Sequence, residues 1–216
     1  MIEHDYEQMR RAMVASTLRT TGVNDPRVLA AMGAVPRERF VPAERVGTAY
    51  ADTLVPLGNG RELNSPLALG RMLSEVSPQE GERALVIGAA TGYAAAVAAR
   101  LVGSVVATEE DPALIEVARH ALAGTGVKLV KTPLTLGYSD DAPYDLIIID
   151  GAVEFVPQPI IDQLVDGGRL ATALLEQGVT RVSIGRRVGD SFGLAPMTDW
   201  AAAILPGFSK PRAFSF

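Results

Sequence analysis

The rhythm of apolar and polar positions changes near the middle of the chain. In the first half, Met9, Met13 and Leu18 fall near helical spacing between Asp5 and Thr20, which predicts an opening helix. Asn24-Asp25-Pro26 sets a capping side chain before a proline suited to the first helical position, so a second short helix is expected through Met32. Residues 34–42, AVPRERFVP, read as an ordered loop or short helix held between prolines. Residues 47–64 bring Gly, Pro and Asp at short intervals and little periodicity. A loop that long in a compact domain is usually functional or disordered, and Tyr50, Leu54, Val55 and Leu57 argue for order. Asn64-Ser65-Pro66 opens another helix that reaches about Val76.

The second half alternates short apolar runs with helical segments. Strands are expected at residues 84–87, 105–108, 127–130 and 144–150, with a fifth from Arg169 to about Leu174. The run YDLIIID at 144–150 is apolar without alternation, as in a strand buried on both faces. Between them lie an Ala-rich helix ending near Leu101, a helix capped by Asp111-Pro112, and a helix over about 159–164. This alternation predicts right-handed βαβ units and a parallel sheet. After Gly178, residues 179–187 and 191–196 look like an antiparallel pair turning near Gly189-Asp190. The final stretch, with Phe208, Phe214 and Phe216 spaced among prolines, is expected to pack as a last strand.

Composition narrows the chemistry. The chain has 216 residues, 48% of them hydrophobic and 21% charged, with a net charge of −5. That suits one globular unit and offers no global attraction to nucleic acid or anionic membrane. Cysteine is absent, so disulfides, thiolate nucleophiles and Cys-based metal sites are excluded. The only histidines are His4 and His120, too few for a His-rich metal site, and His120 reads as a solvated position on a helix. The N-terminus is charged from its third residue and lacks the apolar core of a secretory signal. The most apolar stretch, residues 84–107, is interrupted by Arg100 and does not read as a membrane span. A cytoplasmic location is the expectation.

Three features converge on a nucleoside-binding crevice. Gly88-Ala89-Ala90-Thr91-Gly92 joins a strand to a helix, where glycines allow close backbone approach and the helix start offers free N–H groups. Glu109 follows 21 positions after Gly88, at the end of the next strand, where a carboxylate can accept ribose hydroxyls. Parallel sheets bind ligands beyond the carboxyl ends of their strands, where strand order reverses. The plainer alternative is a structural turn, with Glu109 capping the helix at Asp111. The turn lacks the G-x-G-x-x-G spacing of dinucleotide sites, so an adenosyl group without pyrophosphate fits better than NAD.

The chain resembles the protein-L-isoaspartate O-methyltransferases over nearly its whole length. The resemblance rests on residues 13–42 of the arm, on AYADTLVPLGNG at 49–60, on ALVIGAATGYAAAVAA, on APYDLIIIDGA at 142–152 and on QLVDGGRL at 163–170. It implies an α/β fold, the Rossmann-like sheet of class I S-adenosylmethionine methyltransferases. That sheet would be mostly parallel with an antiparallel C-terminal hairpin and an N-terminal helical arm. Residues 1–64 would form the arm and active-site loop, and 65–216 the core. The implied cofactor is S-adenosylmethionine, held by Leu63, Gly88, Ala90, Gly92 and Glu109. The implied partners are proteins or peptides containing isoaspartyl residues, whose carboxylate is methylated. Such a transfer needs alignment and desolvation rather than a metal or a general base.

Several positions depart from the family's pattern. Asn64 stands where the characteristic serine falls and is the candidate catalytic residue, while Ser65 reads as a helix cap. Ala90 replaces the middle glycine, Val86 an acidic residue, and Pro133 the aspartate of an adenine-binding Gly-Asp-Gly. Proline there offers neither carboxylate nor N–H. Each lost polar contact costs a ligand on the order of 1 kcal/mol, so weak or absent cofactor binding is one expectation. Asp150 ends the YDLIIID run near the pocket, and pairing with Arg61 would offset its charge; capping a turn is the simpler role. Two alternatives to the enzyme follow from these departures: a binding or scaffold protein that kept the fold, and a methyltransferase with another substrate.

Overall fold

A computed structural model describes residues 5–210. The arm begins with α1 (Tyr6–Ala12), capped by Asp5, whose side chain accepts from the Gln8 N–H. The helix then widens into a π-helical stretch over Met13–Leu18 and tightens into a 3-10 turn over Arg19–Thr21. The opening helix expected through Thr20 is therefore three different coils. The wider turn sets Met13 and Leu18, five residues apart, both into the core. Helix α2 (Pro26–Ala34) starts as expected, with Asp25 accepting from the Arg27 and Val28 N–H groups and Pro26 in the first turn. A 3-10 turn covers Arg37–Phe40 and another Ala43–Thr48. The irregular segment that follows contains a small antiparallel hairpin, β1 (Val55–Gly58) with β2 (Arg61–Leu63). Helix α3 (Pro66–Val76) is capped by Ser65, whose Oγ accepts from the Ala68 N–H at 3.2 Å.

The core strands are β3 (Arg83–Ile87), β4 (Ser104–Glu109), β5 (Lys128–Lys131), β6 (Tyr144–Val153), β7 (Leu164–Glu176), β8 (Val179–Val188) and β9 (Ser191–Asp199). They form one sheet in the order β5-β4-β3-β6-β7-β8-β9. The first five run parallel, and β8 and β9 add an antiparallel meander. Helices α4 (Tyr93–Ala98), α5 (Pro112–Ala121) and α6 (Gln158–Ile161) make the crossovers. Helix α6 is shorter than its sequence suggested and β7 longer, because Leu164 already pairs with Tyr144 and residues 169–176 pair with β8.

Side chains alternate across the sheet with the period of two that strands impose. Val86, Ala107, Leu146, Ile148 and Ala171 join one core cluster that also takes in α3, α4 and the arm's Leu18, Val28, Met32 and Phe40. Leu85, Ile87, Ile147, Ile149 and Leu170 join a second on the opposite face, with Ile160 of α6 and with Leu205 and Phe208. The strand order reverses between β4 and β6 around β3, so the crevice at the carboxyl ends of β3 and β6 is the switch point where such sheets take ligands. Among the described residues, no helix is long and apolar enough to cross a membrane.

Candidate functional site

The glycine turn lies at the end of β3. Gly88 has φ +75° and Gly92 φ +102°, left-handed values that favour glycine. The Gly88 and Ala89 N–H groups donate to the Thr108 carbonyl at 3.0 and 2.9 Å, fixing the turn to β4. Ala90, at the expected glycine, also takes a left-handed φ of +51°. Its N–H donates to Glu109 Oε2 at 2.8 Å, which holds the residue there despite its methyl group. The arm docks on this turn: Thr91 Oγ1 donates to the Phe40 carbonyl at 2.6 Å, and the Phe40 ring meets Tyr93 edge-on at 5.6 Å between centroids.

Glu109 is fully buried at the end of β4. Its carboxylate accepts the Glu110 and Asp111 N–H groups at 2.9 and 3.1 Å besides that of Ala90. The Arg61 guanidinium then grips both oxygens, Nη1 to Oε1 at 2.6 Å and Nη2 to Oε2 at 2.9 Å. Arg61, one partner open to Asp150, pairs with Glu109 instead, because the β1–β2 hairpin carries residue 61 to the end of β4. Asp111 caps α5 with its own side chain, accepting from Ala113 and Leu114, so Glu109 is not that helix's cap. The Leu134 N–H, next to Pro133, donates to Glu110 Oε2 at 3.2 Å.

Asn64 is buried between β2 and α3 and both ends of its amide are engaged. Nδ2 donates to Asp150 Oδ1 at 2.8 Å, and Oδ1 accepts the Ala203 N–H at 2.8 Å. The Asn64 carbonyl accepts from Arg37 Nη2 at 2.6 Å, and Arg37 Nε donates to the Ala49 carbonyl at 2.7 Å. Leu63, beside it on β2, is buried. Asp150 lies within β6 rather than at its end, since the strand continues to Val153. Burial pushes its carboxyl above the ordinary aspartate range, against the opposing pull of Asn64, Arg37 and Arg61. Arg37 is fully buried over the Tyr93 ring, 4.6 Å from its centroid. Burial lowers the Arg37 guanidinium from its usual range and raises the Tyr93 hydroxyl. Arg37 Nη1 and the Tyr93 hydroxyl are buried facing one another, with no other hydrogen-bond partner. Among the described residues, no group of three or more His, Asp or Glu side chains is placed to hold a metal.

The segment after β9 crosses this crevice. Ala203 O accepts the Ala152 N–H at 2.6 Å, the Leu205 N–H donates to the Ala152 carbonyl at 3.0 Å, and Phe208 O accepts the Glu154 N–H at 3.1 Å. Ile204 makes a single parallel bridge with Ala152 in place of the expected last strand, because Pro206-Gly207 turns the chain away. Phe208 is buried, while Phe214 and Phe216 lie outside the described residues. Leu205 sits on two glycines: a Cβ at Gly88 would stand 3.0 Å from both its methyls, and one at Gly151 would overlap its Cγ at 2.5 Å. Leu205 thus fills the hollow beside the Gly88 turn, and the Glu109 carboxylate is held by Arg61.

The structure places Gly88, Ala90, Gly92 and Glu109 together at the ends of β3 and β4. No sequence pattern marks Leu205, Ala203 or Gly151, and Arg37 is one of several charges in the arm. The only available signal was the pair of glycines, Gly88 and Gly151, each following an apolar strand run.

The pattern of the protein-L-isoaspartate(D-aspartate) O-methyltransferase family matches residues 9–190. The chain is 38% identical over 186 residues to a protein-L-isoaspartate O-methyltransferase of Methanoregula boonei, covering 85% of this chain and 86% of that one. It is 41% identical over 167 residues to protein-L-isoaspartate O-methyltransferase 2 of an Anaeromyxobacter species, covering 76% and 69%. Among solved structures, a protein-L-isoaspartate O-methyltransferase superposes with a TM-score of 0.80 at 23% identity, over 94% of this chain and 66% of that one. A Plasmodium falciparum structure, described as a putative protein-L-isoaspartate O-methyltransferase in complex with S-adenosyl-L-homocysteine, superposes with a TM-score of 0.75 at 17% identity, over 94% and 99%.

Proposed function

This chain belongs to the protein-L-isoaspartate(D-aspartate) O-methyltransferase family, and we propose that it is an S-adenosylmethionine-dependent carboxyl O-methyltransferase acting on isoaspartyl residues of proteins and peptides. The observation that carries this reading is the continuous match over residues 9–190, which spans the arm as well as the sheet. The arm matters because it distinguishes this family from methyltransferases at large. The switch-point crevice, with its glycine turn on β3 and Glu109 on β4, supports the adenosyl half of the reading. In this reading Gly88, Ala90, Gly92, Glu109 and Leu63 border the cofactor, and Asn64 borders the acceptor carboxylate.

A carboxylate acceptor gains nucleophilicity when water is stripped from it. The buried surroundings of Asn64, with Arg37 beneath, supply a dry and locally cationic floor that favours an anion. Asp150 opposes an anion only when ionised, and burial favours its neutral form. The test is methyl transfer from labelled S-adenosylmethionine to an isoaspartyl peptide, with the aspartyl peptide as control. Base-labile ester on the isoaspartyl peptide alone is expected. Cofactor binding without ester would point to another substrate, and absence of both in folded protein would favour the binding or scaffold role.

A further inference from the structure

We propose that the segment around Leu205, together with Arg61, is a built-in occupant of the cofactor crevice that an adenosyl ligand must displace. This rests on the reading of the crevice as an adenosyl site. Four observations on separate parts of the chain carry it. Leu205 fills the hollow left by the missing side chains of Gly88, just after β3, and of Gly151, among the last residues of the adjacent strand β6. Its backbone is clipped to β6 through Ala152 on both sides, by the Ala203 carbonyl and the Leu205 N–H. Asn64 latches the same segment from across the crevice by accepting the Ala203 N–H, while its other end is held by Asp150. Arg61 meanwhile takes both oxygens of Glu109, the acceptors that ribose hydroxyls need.

The occupant is held by its buried Leu205 and Phe208 side chains more than by its backbone. Apart from the single bridge at Ile204, it forms no strand ladder. Pro206 and Gly207 break the backbone on its far side, and Ile204 faces solvent at 59% exposure. The segment starts at Trp200, the only tryptophan, whose indole N–H reaches Ser65 Oγ at 3.4 Å. The Trp200 backbone stays tied to β8 through the Thr180 carbonyl at 2.9 Å, so release of the segment changes the surroundings of the chain's one strong fluorophore rather than carrying it away. Ligand binding and closure of the segment are mutually exclusive, so each weakens the other by the same factor.

The experiment is calorimetric titration of S-adenosylhomocysteine into the full chain and into Arg61→Gln, Leu205→Ala and the double variant. Hydrogen exchange at the Ala203 and Leu205 amides and Trp200 emission are read alongside. The expected result is at least tenfold tighter binding in the double variant than in the unaltered chain. In the unaltered chain, saturating ligand should also deprotect both amides and shift the Trp200 emission. Should a variant not fold, the exchange and emission measurements on the unaltered chain decide alone. Equal affinities in all chains, or amides that stay protected with ligand bound, overturn the displacement while leaving the adenosyl site standing. Absence of binding in every folded chain overturns both.

Discussion

Ala90, Arg61 and Asp150 each hold a conformation or charge that costs the fold something. A left-handed φ costs an L-residue about 1–2 kcal/mol, of which glycine's larger unfolded-state entropy returns roughly 0.5–1. Ala90→Gly should therefore raise stability by up to about 1 kcal/mol, read as a small rise in urea midpoint with unchanged slope. Arg61 and Glu109 form a buried bidentate pair at 6% and 0% side-chain exposure. Removing one member of such a pair strands the other charge and costs about 3–5 kcal/mol. Arg61→Met should lose stability of that order. The loss should fall toward its lower end, because three backbone N–H groups still face Glu109. Asp150 binds its proton more tightly when folded than when unfolded. Its contribution to stability is thus intact below the ordinary aspartate pKa and declines as pH rises toward the raised folded value. Unfolding free energy measured against pH should fall less steeply through that window in Asp150→Asn than in the unaltered chain.

At the scale of elements, helix starts are set by local chemistry and helix courses by packing. Asp25, Ser65 and Asp111 each accept backbone N–H groups ahead of a proline in the first turn. All three starts were legible because the cap and the proline are neighbours in sequence. Asp25→Ala and Asp111→Ala should each cost about 1 kcal/mol, measurable as a shift in thermal midpoint. The course of the opening helix was not legible, since its π-helical turn serves the burial of Met13 and Leu18 against residues far along the chain. The same holds for β7, whose length is fixed by its partner β8 rather than by its own apolar run.

Across the whole molecule, the arm and the sheet share one core. Phe40, Leu18 and Met32 of the arm pack in the same cluster as Val86, Tyr93 and Ile148. We read residues 1–64 as an arm that unfolds together with the core of residues 65–216. Phe40→Ala removes a ring buried at 2% exposure against Tyr93, and a loss of about 3–5 kcal/mol is expected. Far-ultraviolet circular dichroism and Trp200 fluorescence should still report a single coincident transition. Two transitions would show that the arm unfolds on its own.

By itself the sequence determined the architecture: an alternating α/β chain, buried parallel strands, capped helices, a glycine turn and an acidic residue after the next strand. These are periodic or short-range features, written in the spacing of residues that are close in the chain. Only the tertiary structure decided who meets whom in the crevice. Arg61 chooses Glu109 over Asp150 across 48 residues, Asn64 joins Asp150 to Ala203, and Leu205 settles on Gly88 and Gly151. Such pairings depend on where segments 48 to 139 residues apart in the chain end in space, and glycine at a strand end says that something approaches closely without saying what.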